Sequence, residues 1–134
     1  MNEELENLLK HCVEYASDLL VETGESYPFG AFIDTIGNVH PLEMEIDTKN
    51  VPTIGQVIEN LKGYCEGEMK ASKMNGYALA YEVALQLEEG QDKIDAISID
   101  MKHIENEEPP LFYLPFKLIE PKKGEPGEIF GVKR

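Results

Sequence analysis

The sequence predicts an α+β protein in which two helices cover one face of an antiparallel sheet of five or six strands. Three observations point to this class. Two segments carry apolar residues at helical spacing, several shorter segments alternate apolar and polar residues, and the order is α-β-β-α-β-β-β with room for one more strand. Short connections between successive strands favour antiparallel pairing.

The first predicted helix begins after Asn2 and ends at Gly24. Apolar side chains recur at helical spacing from Leu5 to Leu20, and charged side chains occupy the opposite side. Asn2 is a residue type that caps helix N-termini, and Gly24 can take the left-handed conformation that ends helices. We therefore expect a long amphipathic helix with its apolar stripe against the sheet.

A predicted hairpin follows the first helix. Residues 27–33 form its first strand, with Pro28 near the beginning or on an edge, and Gly37 tolerates the positive φ of a tight turn. In the second strand, apolar residues alternate with Glu43 and Glu45. The two glutamates should therefore face water.

The second predicted helix begins at a capping box formed by Thr53 and Gln56, and its apolar stripe continues to Met69. Three glycines, Gly55, Gly63 and Gly67, each cost it roughly 1 kcal/mol relative to alanine. Packing against the sheet must therefore hold this helix in place.

Three further strands form a predicted meander. In the first, which starts at Tyr77, large apolar residues share one face and alanines the other, so a helix can approach the alanine face closely. The next strand alternates, with its apolar side chains inward and Asp100 and Lys102 outward. Residues 111–116 contain Pro115, which implies an edge or a bulge. The turn-rich segment 120–134 is predicted to form a loop and a short docked segment.

Composition favours one predicted domain over residues 1–134, in the cytoplasm. The chain has 12 Lys and Arg against 26 Asp and Glu, a formal net charge of −14, which opposes binding to nucleic acid or an anionic membrane. No apolar run approaches the ~20 residues that cross a bilayer, and the acidic N-terminus lacks the basic region of a signal peptide. Cys12 and Cys65 fall on apolar helix stripes, as reduced core thiols would.

The sequence offers few candidates for chemistry. It contains no serine-nucleophile motif, no phosphate-binding loop and no spaced pair of metal ligands, so no catalytic residue, metal or cofactor is predicted. Glu82 lies on the alanine face of a strand expected to be central, where a buried carboxylate would mark a functional site. A place at the open end of the sheet, or pairing with Lys73 or Lys93, is the simpler interpretation. His103 continues an inward-facing series, so a partly buried imidazole with a hydrogen-bond partner is expected.

The most distinctive local string is Gly-Glu-Ser-Tyr-Pro-Phe-Gly-Ala at residues 24–31. It resembles a motif in a group of small, uncharacterised bacterial proteins, in which a first helix ends in Gly-Glu and an aromatic-Pro-Phe-Gly strand follows. The resemblance implies a cytoplasmic α+β domain and no activity. Tyr27 and Phe29 are candidate binding residues that would line a cleft beside the first helix, although core packing is the simpler role for Phe29.

The leading functional prediction is a non-enzymatic binding module, with a homodimer covering the sheet face that the helices leave open. The first alternative is an immunity-type inhibitor of a basic toxin or enzyme, in which acidic charge steers association. Its acids should cluster on one face, either Glu43 and Glu45 or Glu6, Glu14 and Asp18. Solubility is the simpler explanation of the charge.

The second alternative is a small-molecule enzyme. It requires Glu82 and His103 to converge in a pocket with Tyr81 or Tyr113, since none of these residues forms a catalytic motif alone. A structure tests this requirement directly, because the side chains either share a concave pocket or do not.

Overall fold

The computed structural model describes residues 1–42, 49, 52–105 and 108–134. Within these ranges the chain confirms the α+β class. Neither helix in the described part of the chain has the length and apolar content to cross a membrane. The elements are α1 (Glu3–Thr23), β1 (Phe29–Ile33), β2 (Val39–Leu42), α2 (Ile54–Lys70), β3 (Gly76–Leu85), β4 (Ile94–His103), β5 (Leu111–Glu120), β6 (Lys123–Pro126) and β7 (Phe130–Val132).

The strands form one antiparallel sheet in the order β2-β1-β3-β4-β5-β6, and β7 pairs with the beginning of β5. The described residues thus contain seven strands where five or six were predicted, because the turn-rich C-terminal segment supplies both β6 and β7 to one edge of β5. The Pro115 carbonyl accepts the Gly127 N–H at 2.7 Å, between β6 and β7. A proline fits there because its missing N–H falls where neither strand pairs.

The two helices lie on opposite faces of the sheet, so the prediction that both cover one face was wrong. α1 packs against Ala78 and Ala80 of β3, whereas Val57 of α2 packs against Tyr77 and Leu79. Successive residues of a strand point to opposite faces, so β3 packs its alanines against α1 and its larger side chains against α2. An apolar stripe shows that a helix packs, but it does not show on which face.

The helix ends follow the predicted caps. The Asn2 side chain accepts an N–H of the first turn of α1 at 2.8 Å. Thr53 and Gln56 form the capping box of α2, with hydrogen bonds of 2.8 and 3.1 Å. Gly24 ends α1 at φ 76°, and a Cβ added there would lie 2.8 Å from backbone atoms of Lys122. Both the conformation and the space therefore require glycine.

The two cysteines are free and fully buried, Cys12 under α1 and Cys65 under α2. Burial raises the pKa of each thiol to about 12. Since the sheet lies between them, a disulfide cannot join them without unfolding. The prediction of two free core cysteines is confirmed.

Candidate functional site

A groove of about 290 Å³ runs along the border between α2 and the sheet. The groove exists because α2 packs mainly on β1 and β3 and stops short of β4. The side of β4 that faces α2 is therefore left partly uncovered. The lining residues are Ile58, Glu59 and Lys62 of α2, Tyr77, Leu79 and Tyr81 of β3, Asp100 and Lys102 of β4, and Arg134.

Strand register brings the two sheet walls of the groove together. Tyr77 lies directly opposite Lys102, and Leu79 lies opposite Asp100. Residues directly opposite each other in an antiparallel pair share a face, so charged side chains of β4 stand beside the apolar side chains of β3. Asp100 and Lys102 point away from the α1 core, as predicted. On the opposite face of the sheet they line this groove.

The Tyr77 hydroxyl is an unsatisfied polar group in the groove wall. Tyr77 is 2% exposed, and its hydroxyl has no hydrogen-bond partner among the described residues. Burial, followed by the negative charge of Glu66, raises the pKa of this phenol to about 12, and Asp100 adds a smaller effect. The hydroxyl therefore keeps its proton at neutral pH and remains a donor without an acceptor.

Charges of both signs surround this hydroxyl. The Lys102 ammonium lies 3.7 Å from a carboxylate oxygen of Glu66, and the Arg134 guanidinium pairs with Asp100. Lys62 makes no ion pair within the part of the chain that the structure describes. Lys62 is exposed at the rim of the groove, whereas the unpartnered Tyr77 hydroxyl is closed off from solvent behind the groove wall.

Glu82 has a structural partner that the sequence did not indicate. It is exposed on the α1 face of β3, and its Oε1 accepts the Ser26 N–H at 2.6 Å. Among the described contacts it pairs with neither Lys73 nor Lys93. With Ser26 and Tyr27 it lines a small pocket of about 140 Å³ and fixes the loop after α1.

His103 was expected to be partly buried with a hydrogen-bond partner, and it is almost completely buried and hydrogen-bonded at both ring nitrogens. Its Nε2 lies 2.9 Å from Glu4 Oε1, and its Nδ1 accepts the Glu105 N–H at 3.0 Å. Because Nδ1 is an acceptor, the hydrogen-bond network assigns the proton to Nε2, which donates to Glu4. The pair ties the beginning of α1 to the end of β4.

The residues required by the enzyme alternative do not converge. Glu82 and His103 are six positions apart along the β3–β4 ladder, about 20 Å. Tyr81 and Tyr113 lie on the other face of the sheet, since strand residues of opposite parity point in opposite directions. No common pocket joins these four side chains among the described residues.

The remaining candidates also lie apart from the groove. Phe29 is half-buried against the α1 core, and its ring centre is 4.6 Å from that of Tyr15, in agreement with a packing role. Tyr27 is 44% exposed beside the pocket that Glu82 lines. Glu43 and Glu45 lie outside the described residues.

The sequence pattern does not indicate the groove, because it places Tyr77 on an apolar strand face and Asp100 and Lys102 in water. One signal was available: on the predicted meander, a strand face with Tyr77 and Leu79 adjoins one with Asp100 and Lys102. A face that changes from apolar to charged between neighbouring strands marks where helix coverage stops. Arg134 carried no such signal, because its partner is 34 residues away.

No group of three or more His, Cys, Asp or Glu side chains in the described ranges is arranged to hold a metal ion. No family model, no curated protein and no solved structure matches the chain. The resemblance of residues 24–31 to the bacterial group therefore stays a prediction. The fold and the groove together define a small α+β protein with one helix on each sheet face and a polar cleft beside the second helix.

Proposed function

We propose that this protein is a non-enzymatic binding module whose ligand site is the groove between α2, β3 and β4. The observation that carries the proposal is the groove itself, a concavity of about 290 Å³ that stays open because α2 packs mainly on β1 and β3. The Tyr77 hydroxyl lies closed off behind the groove wall without a hydrogen-bond partner among the described residues, at a cost of about 1–3 kcal/mol. A costly polar group beside the groove supports a functional role for this wall.

The shape and lining of the groove support a small ligand. Its volume of about 290 Å³ is at the lower end of the range for small-molecule sites. Ile58, Leu79 and Tyr81 supply apolar surface, and the other lining residues apart from Tyr77 are charged, namely Glu59, Lys62, Asp100, Lys102 and Arg134. Hydrophobic side chains predominate in most small-molecule sites, so this more polar lining favours a polar ligand.

Nuclear magnetic resonance with isotope-labelled protein tests this proposal. The protein is titrated with mixtures of neutral, cationic and anionic fragments, and saturable shift changes are expected at the amides of 58–62, 77–81 and 100–102. Tyr64→Phe is the matched control, because Tyr64 lies exposed on α2 and does not line the groove. The proposal fails if no fragment gives saturable changes, or if they occur only elsewhere.

A second candidate function is capture of a basic protein by α1, as an immunity-type inhibitor would do. Glu6, Glu14, Asp18 and Glu22 are exposed on α1, and its last turn has no basic residue. Acids near a helix C-terminus oppose the helix dipole, which costs stability that a basic partner would offset. This arrangement supports one of the two acidic faces expected from the sequence.

A pull-down with a charge-neutralised variant tests this second candidate. Wild-type protein should retain a basic partner at low salt and release it near about 0.5 M salt, where the Debye length is only a few ångströms. The triple variant Glu14→Gln, Asp18→Asn and Glu22→Gln should lose the partner at low salt. Equal retention by the variant would contradict a role for α1.

A cytoplasmic location belongs to the same proposal and is supported by two free, buried thiols. The net charge of −14 supports exclusion of nucleic acid and anionic membranes as partners. A homodimer stays a prediction. The need to cover an open sheet face supports it less strongly, because α2 covers part of the face that a second copy was expected to cover.

A further inference from the structure

The sheet face that carries α2 has a part that neither helix covers. α2 packs mainly on β1 and β3, and within the described residues the same face of β4, β5 and β7 has no helix packed on it. Two neighbouring rows of side chains cross this region, and the strand register places their members side by side. These rows, here called the open face, consist of Tyr81, Ser98, Tyr113 and Phe130, and of Val83, Ala96 and Pro115.

The open face contains no charged side chain, although the whole chain has a net charge of −14. Its larger side chains are partly exposed, and the rings of Tyr113 and Phe130 pack with their centres 5.7 Å apart. The Asp100–Arg134 pair borders the open face at one end, and Lys117 borders it at the other. An apolar, aromatic centre with charges at its rim is typical of a protein interface.

We infer that the open face packs against the open face of a second copy of this chain, an inference that goes beyond the groove function proposed above. The net charge of −14 repels an anionic lipid surface, and a strongly charged partner gains no attraction from a face without charge. A second copy brings the same uncharged surface, so apolar area is buried and no charge is. Homodimer interfaces are more apolar than other interfaces, and two-fold dimers are the commonest assembly.

The shape of this sheet face favours one two-fold arrangement. α2 stands above β1 and β3 as a ridge about 10 Å thick, which equals the usual distance of about 10 Å between packed sheets. Rotation about an axis parallel to the strands brings the two open faces together and leaves each α2 outside the overlap. An axis across the strands would make the two ridges collide.

This arrangement brings the β6–β7 edge of each copy beside α2 of the other. That edge belongs to the basic part of an acidic chain, since residues 117–134 contain five Lys and Arg and three Glu. The flank of α2 that faces it carries Glu59 and Glu66, together with Lys62. Opposite charges therefore meet along both borders of the interface, and the edge of the second copy closes the open side of the groove.

The area of this surface determines how tightly two copies associate. Four apolar residues extend the open face along the strands, Leu85 and Ile94 at one end and Leu111 and Val132 at the other. At ~4.8 Å between strands and ~6.8 Å between side chains on one face, the extended surface covers roughly 350 Å² of sheet. A standard interface buries about 800 Å² per partner, so the borders supply about half. We therefore expect a dissociation constant on the order of 10 µM.

Sedimentation velocity between about 1 and 500 µM protein measures this association. Wild-type protein should change from the mass of one chain to that of two across this range. Val83→Lys places a charge at the centre of the open face, so it should raise the dissociation constant at least about a hundredfold. Ala84→Lys is the matched control, because Ala84 is the next residue of β3 and is exposed on the opposite face of the sheet. It should dimerise like the wild type.

Two further comparisons secure the interpretation. Val83→Lys and Ala84→Lys add the same positive charge, so a difference between them does not arise from repulsion between whole molecules. Thermal melting establishes that each variant is folded. Tyr113→Gln removes an aromatic side chain from the open face without adding charge and should weaken the dimer at least about tenfold.

The outcomes decide the inference independently of the groove function. Wild-type protein that stays monomeric at the highest concentration overturns it, and so does a dimer that folded Val83→Lys and Tyr113→Gln leave intact. Equal weakening by Val83→Lys and Ala84→Lys also overturns it. None of these results replaces the fragment titration of the groove, so either proposal can fail while the other stands.

Discussion

Tyr77 combines a structural task with an unmet hydrogen bond. Its ring packs against α2 with Val57, Leu61 and Cys65, while its hydroxyl lies buried without an acceptor among the described residues. Phenylalanine would fill the same space without the polar group. Retaining such a group at a cost in stability is typical of functional sites, where binding and stability have conflicting requirements.

Replacing Tyr77 with phenylalanine should therefore raise the free energy of unfolding of the ligand-free protein by about 1 kcal/mol. The gain arises because the variant no longer buries an unpaired hydroxyl. Urea denaturation measures this gain. The control Tyr64→Phe, at an exposed position on α2, should leave stability unchanged. A loss of stability in Tyr77→Phe would mean that the hydroxyl has a partner in solution.

At the scale of elements, the two helices differ in how much of the sheet each one covers. α1 contacts β1, β2, β3, β4 and β6 and buries residues along its whole length, whereas α2 packs mainly on β1 and β3. The shorter reach of α2 creates the groove. The glycines of α2 lower its intrinsic helix propensity, so its position depends on a small set of buried side chains.

Alanine substitutions in α2 should stabilise the protein. A Cβ at Gly63 or Gly67 would meet no atom within 4 Å, so each substitution should raise the free energy of unfolding by roughly 0.5–1 kcal/mol through helix propensity. Chemical denaturation provides the measurement. If both substitutions lower the free energy of unfolding, the exposed side of α2 contacts another molecule in solution.

Gly76→Ala is the matched contrast to these two changes. A Cβ at Gly76 would lie 2.6 Å from the backbone oxygen of Lys102, so the β3–β4 ladder would have to shift. We expect a loss of stability of about 1–3 kcal/mol for this variant in the same assay. An unchanged stability would show that the end of the ladder is looser than its hydrogen bonds indicate.

At the scale of the whole molecule, the sheet has one sealed face and one partly open face. The α1 face contains the larger core, with Ile97, Ile99 and Met101 fully buried. The α2 face contains a smaller core and the groove. Three buried groups that normally titrate at alkaline pH are divided between them, Cys12 under α1 and Cys65 and Tyr77 under α2.

These three groups predict a loss of stability at alkaline pH. Burial raises the pKa of both thiols from 9.0 to about 12 and that of Tyr77 from 10.0 to about 12. The unfolded chain therefore releases these protons first, and the free energy of unfolding should fall between about pH 9 and pH 12. Their contribution is fully present below pH 9.

Urea denaturation in reducing buffer at several pH values measures this effect. Cys65→Ala removes one of the shifted groups, so its stability should fall less steeply than that of the wild type as the pH rises above 9. Because surface lysines titrate equally in both proteins, the difference isolates the buried thiol. Parallel curves would contradict a raised thiol pKa at this position.

The sequence by itself determined both helices, the strands β1 to β5 and their order, whereas it predicted a loop and a short docked segment where β6 and β7 lie. Local signals were sufficient where the physical cause is local, as in the Asn2 cap, the capping box at Thr53 and the left-handed end of α1 at Gly24. Alternation of apolar and polar residues correctly predicted the buried side of β4. These features depend on residues a few positions apart in the chain, so they can be predicted from the amino-acid sequence alone.

Only the tertiary structure decided which face each helix covers, how far α2 extends and which side chains meet in the groove. Lys62, Tyr77 and Arg134 come from distant parts of the chain, and their proximity depends on packing and strand register. The same holds for Glu82, whose partner Ser26 is 56 residues away. Helical and strand periods define which sides of an element are apolar, but the contacts between elements depend on the combined shape of all of them.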